Sequence, residues 1–161
     1  MGDEYLHDLK QSLAKHGFQE VQKVEEVPDV KLLLKRQNLI SNRAIIVVSP
    51  ENFPDNINDY LKLVRKRVAF RCGFFPVLWG IGIQVIVVSP RKISMSLKPI
   101  EYVAKVDNQW SIIQSFFVVD IAGQTFQAGR TWGQFWTGKF QDAIYVVLSK
   151  HFTDATRIPT K

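Results

Sequence analysis

The sequence has little cysteine and none of the short motifs that usually mark a catalytic or cofactor site. Its single thiol, Cys72, cannot form an internal disulfide or supply a multi-thiolate metal site, which favours a reducing cytoplasm. The glycine-rich phosphate-binding motifs, the hydrolase motif G-x-S-x-G and zinc-ligand spacing are absent from it. We therefore favour a protein that acts by binding, without cofactor or metal, over an enzyme.

The sequence also lacks a hydrophobic run long enough to cross a bilayer, which takes about 20 apolar residues. The best candidate, from Cys72 to Ser89, is short and is interrupted by Pro76 and by Gly80 and Gly82. The first residues are acidic and have no apolar core of a secretory signal. These features predict a cytoplasmic protein that does not enter the membrane.

The most informative feature of the sequence is a repeated pentapeptide. Ile-Val-Val-Ser-Pro occupies 46–50 and again 86–90, and an amphipathic segment lies between the two copies. Leu61, Val64 and Val68 recur there at helical spacing, so a helix is expected from about Asn56 to Cys72. The region 43–89 therefore predicts a β-α-β crossover, in which the two apolar strands run parallel.

The flanking regions complete one mixed α/β domain that spans residues 1–161. A helix is expected at 4–16, then strands at 19–26, 30–36 and 43–49, whose short connections favour antiparallel pairing. The last third predicts a meander of strands at 100–106, 110–121 and 125–128, although 110–121 also fits a helical stripe. At the C-terminus, we expect a core-facing helix at about 131–152 and a flexible tail at 153–161.

Charge is distributed unevenly along the chain. Residues 1–30 hold three lysines and seven acids, a net charge of −4, whereas residues 31–98 hold twelve basic residues and three acids, a net charge of +9. A surface of this kind attracts polyanions, so nucleic acid or an acidic protein is the expected partner. The residues proposed to bind it are Lys62, Arg65, Lys66 and Arg67 of the crossover helix, Arg91 and Lys92 after the second Ser-Pro pair, and the aromatic Trp132.

The order of the first elements, together with the pair Pro28-Asp29 at the head of the second strand, resembles the PD-(D/E)XK nuclease-like families over about residues 4–89. The resemblance implies a metal held by Asp29 and by a D/E-x-K triplet on the next strand. Here that strand, 43–49, contains neither an acid nor a lysine. The resemblance therefore implies the scaffold of such a nuclease without its chemistry.

Two alternatives remain open from the sequence. One is a divergent Mg²⁺-dependent nuclease with a relocated acidic site, for which Glu26, Asp29 and Lys31 are the candidates. The other is a protein-interaction module that uses the Trp132 to Trp136 region, with a homo-oligomer as one of its forms.

Overall fold

A computed structural model of the chain describes residues 3–22, 29–37, 41–52, 54–72, 80–93, 101–102, 111–131 and 138–155. Within these ranges the chain forms three helices and eight strands. The helices are α1 (Glu4–Ala14), α2 (Ile57–Arg71) and α3 (Gly138–His151). The strands are β1 (Gln19–Glu20), β2 (Val30–Gln37), β3 (Ser41–Val48), β4 (Gly80–Ser89), β5 (Glu101–Tyr102), β6 (Ser111–Asp120), β7 (Thr125–Thr131) and β8 (Thr153–Asp154).

One mixed sheet contains all eight strands. Its order is β1-β2-β3-β4-β6-β7, and both β5 and β8 pair with the far side of β7. Strands β1, β2 and β3 pair antiparallel. Strand β3 pairs parallel with β4, and α2 connects these two strands. These observations confirm the mixed α/β class, the antiparallel N-terminal strands and the crossover between residues 43 and 89.

The two copies of the repeat are neighbours in the sheet but are offset by one residue. Ile46 lies opposite Val85, and Val47 lies opposite Ile86. Because side chains alternate along a strand, this offset places Ile46 and Ile86 on opposite faces of the sheet. Both positions are nevertheless fully buried, since each face is covered by helices.

The two faces of the sheet form two separate apolar layers. On one face, Leu61, Val64 and Val68 of α2 pack on Ile46 and Val85. On the other face, α1 and α3 lie side by side and cover the side chains of Ile45, Val47, Ile86 and Phe117. The central strands are therefore apolar in both directions, as is typical of parallel strands covered on both sides.

The end of α1 agrees with the predicted stop at Gly17. The amide of Gly17 donates to the carbonyl of Ala14, and the amide of Phe18 donates to the carbonyl of Leu13. This pair of bonds is the Schellman arrangement, which needs a left-handed residue, and Gly17 has φ of 81°. The turn delivers the chain to β1, which is shorter than the predicted 19–26; residues 23–28 lie outside the described ranges.

The predicted meander is partly wrong. Residues 111–120 form strand β6, which excludes the helical alternative for that segment, and β6 pairs antiparallel with β7 as expected. On its other side, however, β6 pairs parallel with β4, while β5 pairs with β7. The physical reason is burial: residues 113–120 are all buried, so β6 is stable only inside the sheet, between two other strands.

Two predicted boundaries are also wrong. Asn42, expected in a turn, pairs with Ile81 within β3, where its side chain is buried. Thr131, expected to open the last helix, instead ends β7, where it pairs with Tyr102 of β5. Its hydroxyl donates to the carbonyl of Gln114 at 2.9 Å, a second contact within the sheet. Helix α3 begins at Gly138, and residues 132–137 lie outside the described ranges.

The C-terminal helix packs on the core as predicted, and the residues after it return to the sheet. Thr153–Asp154 forms β8 beside Thr125 and Phe126. The hydroxyl of Tyr145 donates to a carboxylate oxygen of Asp154 at 2.6 Å, which ties β8 to α3. Among the described residues, no helix is long and apolar enough to span a bilayer.

Candidate functional site

Helix α2 carries most of the basic residues that the sequence singled out. Its first turn is closed by Asn56, whose side-chain oxygen accepts hydrogen bonds from the amides of Asn58 and Asp59 at 3.1 and 3.2 Å. This bond satisfies amide groups that have no partner within a helix. Packing of Leu61, Val64 and Val68 holds the helix on the sheet and leaves its other face in solvent.

The solvent face of α2 combines two large apolar side chains with cations. Leu63 is 40% exposed and Phe70 is 80% exposed. They lie seven residues apart, on the same side of the helix, and Lys66 and Arg67 lie between them. We call these four residues, together with Lys62, which is also exposed, the outer face of α2.

The lysine at the start of the outer face has a weak intramolecular partner. Its amine nitrogen lies 3.5 Å from a carboxylate oxygen of Asp59, and both side chains are largely exposed. An exposed ion pair of this kind stabilises little, so Lys62 remains available to an anion in solution.

Arg65, which the sequence grouped with the outer face, points inward instead. One terminal nitrogen of its guanidinium donates to the hydroxyl of Ser111 at 2.8 Å and to the carbonyl of Ser111 at 3.1 Å. Ser111 begins β6 and is buried. This contact joins α2 to the sheet, so the cations on the outer face are Lys62, Lys66 and Arg67.

Arg91 and Lys92 are exposed at the end of the sheet away from Ser111, where β3 and β4 end and α2 begins. A guanidinium nitrogen of Arg91 donates to the side-chain oxygen of Asn52 at 3.4 Å, which joins the segments that follow the two Ser-Pro pairs. The hydroxyl of Ser89 donates to the carbonyl of Arg91 at 2.8 Å. These two cations extend the positive surface beyond the first turn of α2.

The buried carboxylate at this edge holds the backbone in place. Asp120 accepts hydrogen bonds from the amides of Ile93 at 2.9 Å and Gly123 at 2.7 Å. Each carboxylate oxygen is therefore engaged by a backbone group. We interpret Asp120 as an anchor for the chain after β4 and not as a ligand for a metal or substrate.

The candidate acidic site is only partly described. Asp29 is exposed and has φ of 60°, and its carbonyl accepts a hydrogen bond from the amide of Ser49 at 2.8 Å. Burial, and then the nearby carboxylate of Asp29, raise the pKa of Tyr60 to about 12. Lys31 is exposed on β2, whereas Glu26 lies outside the described ranges. Within those ranges, no three His, Cys, Asp or Glu side chains gather as a metal site would require.

The remaining candidates are Cys72 and the tryptophan segment. Cys72 is free and fully buried at the end of α2, and burial raises the pKa of its thiol to about 11. A thiol of that pKa is protonated at neutral pH and is a poor nucleophile. The segment from Trp132 to Trp136 lies outside the described residues.

Comparisons of the chain with protein-family models, with curated proteins and with solved structures found no match.

Proposed function

We propose that this protein binds nucleic acid through the outer face of α2, and that it acts by binding rather than by catalysis. The observation that carries the proposal is Phe70, an aromatic ring 80% exposed beside Lys66 and Arg67. A ring exposed to this extent costs solubility and buries little of its own surface. Beside these cations, the ring offers the two contacts that unpaired nucleic acid takes: stacking for a base and positive charge for the phosphates.

The positions of the cations support the same partner. Lys62, Lys66 and Arg67 are all exposed along the outer face, and Arg91 and Lys92 are exposed at the edge where the helix begins. Such a row neutralises several phosphates without reading sequence. We therefore expect binding that prefers single strands to duplex and that falls steeply as salt is added.

The test is a titration of a labelled single-stranded oligonucleotide at several salt concentrations. For the unmodified protein, the logarithm of affinity should fall linearly with the logarithm of salt, by roughly 0.7 for each phosphate contacted. Lys66→Glu with Arg67→Glu should weaken binding and flatten that line. Phe70→Ala should weaken binding by about 1–3 kcal/mol and leave the slope unchanged, because stacking is not a charge contact.

The matched control reverses two exposed lysines on the α1 and α3 layer, Lys15→Glu with Lys150→Glu, which changes net charge equally. If this control weakens binding as much as the α2 pair, the effect is one of net charge and the proposed surface is refuted. Failure to bind at low salt refutes the nucleic-acid partner, and an acidic protein would take its place. Mg²⁺-dependent cleavage that Asp29→Ala abolishes would instead establish the nuclease alternative.

A further inference from the structure

A second group of polar residues lies on the opposite side of the sheet from α2, inside the layer that α1 and α3 cover. Arg36 of β2 and Arg43 of β3 are directly opposite in the register of the two strands. Their guanidinium carbons lie 5.4 and 5.2 Å from the centre of the Phe140 ring. Both arginines therefore converge on the first turn of α3, at the edge of the sheet where β3, β4 and β6 begin.

The charge of this pair is not balanced by the described protein groups. Arg43 donates to the neutral side-chain oxygen of Gln114 at 2.9 Å, and neither arginine takes part in an ion pair with a described carboxylate. Both side chains are half-buried. Burial, and then the charge of Arg36, lower the pKa of Arg43. Two like charges held together in a half-buried position favour the arrival of an anion.

Further polar atoms extend the group toward the sheet interior. Gln84 pairs with Ile45 on one side and with Ser115 on the other. Ile45 is two residues beyond Arg43, so the side chains of Gln84 and Arg43 lie on the same face of the sheet. Gln84 is 2% exposed and Ser115 is 1% exposed. Their oxygen atoms Oε1 and Oγ are buried and have no hydrogen-bond partner among the described residues. Buried polar atoms without partners are rare in native proteins and mark places where a ligand or water completes the bonding.

The local backbone is shaped to keep this group together. A β-carbon at Gly82 would lie 2.5 Å from the side chain of Gln114, so the absence of a side chain there gives Gln114 the space from which it reaches Arg43. The ladder between β4 and β6 is irregular at the same point, between Ile83 and Gln84. An irregularity of this kind redirects side chains and is frequent beside binding sites.

We propose that this group binds a small organic anion, whose phosphate or carboxylate contacts Arg36 and Arg43 and whose hydroxyl or amine group contacts Gln84 and Ser115. The planar guanidinium forks match the oxygen atoms of a phosphate or a carboxylate. The amide and hydroxyl supply the donor and acceptor that the rest of such a molecule needs. This site is separate from the outer face of α2, because the sheet lies between them.

The test is calorimetric titration at constant ionic strength, carried out in the Lys66→Glu, Arg67→Glu background so that the outer face of α2 does not contribute. The probes are inorganic phosphate, glycerol 3-phosphate and glycerate. Binding of glycerol 3-phosphate or glycerate, tighter than that of inorganic phosphate, is the expected result. Preference between these two organic probes identifies the anionic group as phosphate or carboxylate.

Three variants locate the binding on the proposed residues. Arg36→Gln should weaken it roughly tenfold or more, since a charge-assisted contact is lost, and Lys150→Gln, which removes one exposed positive charge at the far end of α3, is the matched control that should not. Gln84→Leu with Ser115→Ala should fold, since it removes buried polar atoms without partners, and should abolish the advantage of the organic probes over inorganic phosphate. Absence of heat and of thermal stabilisation with all three probes, or equal affinity in Arg36→Gln and Lys150→Gln, overturns the proposal.

Discussion

Gly129 shows how closely a single residue is tied to its neighbour in this sheet. It lies opposite Phe116 in the ladder between β6 and β7, and a β-carbon there would lie 1.9 Å from the tip of the Phe116 ring. The ring is fully buried and has no room to move away. Gly129→Ala should therefore lower the free energy of unfolding by about 1–3 kcal/mol in urea denaturation.

A second variant separates this overlap from a loss of backbone freedom at the glycine. Phe116→Leu alone should destabilise the protein by leaving a cavity, but in combination with Gly129→Ala the smaller side chain relieves the overlap. The double variant should then be more stable than the sum of the two single effects. Additive effects would show that the ring and the glycine are not coupled.

For single residues, the sequence predicted the basic character of α2 better than it predicted the direction of each side chain. Helical spacing predicted that Lys62, Arg65 and Lys66 lie opposite the apolar stripe of α2, and Lys62 and Lys66 are exposed there. Arg65, one position earlier, is directed to Ser111 of a strand 46 residues away, a contact that no local pattern encodes. Phe70 was not singled out, although its spacing of seven from Leu63 identifies a second stripe opposite the core stripe.

The pair Arg36 and Arg43 was also missed. Each lies in a strand that the sequence did predict, but their meeting depends on the register of β2 with β3. The position of α3 is equally necessary, since Phe140 lies against both guanidinium groups. Two cations that are far from Phe140 in sequence give no signal until the fold is known.

The beginning of α2 depends on a single side chain. Asn56 accepts two backbone hydrogen bonds, and Asn56→Ala removes both. We expect a loss of about 1 kcal/mol in the free energy of unfolding, while Asn56→Ser, which retains a cap, should lose much less. Urea denaturation of the three proteins checks this, and equal stability of the alanine and serine variants would contradict it.

The repeated pentapeptide illustrates what an element-level pattern specifies. It predicted two neighbouring parallel strands joined by a helix, which the structure confirms. It did not predict that the copies are offset by one residue, with Ile46 and Ile86 on opposite faces. Strands that are apolar on both sides satisfy either offset equally well, so the sequence leaves the register to the packing of the helices.

For the molecule as a whole, chain order was a poor guide to the position of β6. A local hairpin argument placed residues 110–121 in a meander, whereas β6 lies between β4 and β7. The signal that would have found this was the composition of β6, since Ile113, Phe116 and Val118 point to one layer and Phe117 and Val119 to the other. A strand buried on both faces belongs in the middle of a sheet.

The covering of both faces has a consequence for stability at alkaline pH. Burial raises the pKa of Tyr5 in one layer to about 12, and burial also raises the pKa values of Tyr60 and Cys72 in the other, to about 12 and about 11. Their ordinary values are 10.0 for the tyrosines and 9.0 for the thiol. The folded protein therefore keeps these protons at pH values where the unfolded chain has lost them.

It follows that the contribution of these groups to the free energy of unfolding should be constant below about pH 9. Above that pH, the free energy of unfolding should fall progressively toward pH 12. Urea denaturation at a series of pH values measures the slope. Cys72→Ala should remove the part of the decline between pH 9 and 11, and Tyr60→Phe the part between pH 10 and 12. Since the Tyr60 hydroxyl is buried without a partner among the described residues, Tyr60→Phe should not destabilise the protein at neutral pH. Slopes unchanged by either substitution would show that the two side chains reach water before the sheet loses its covering helices.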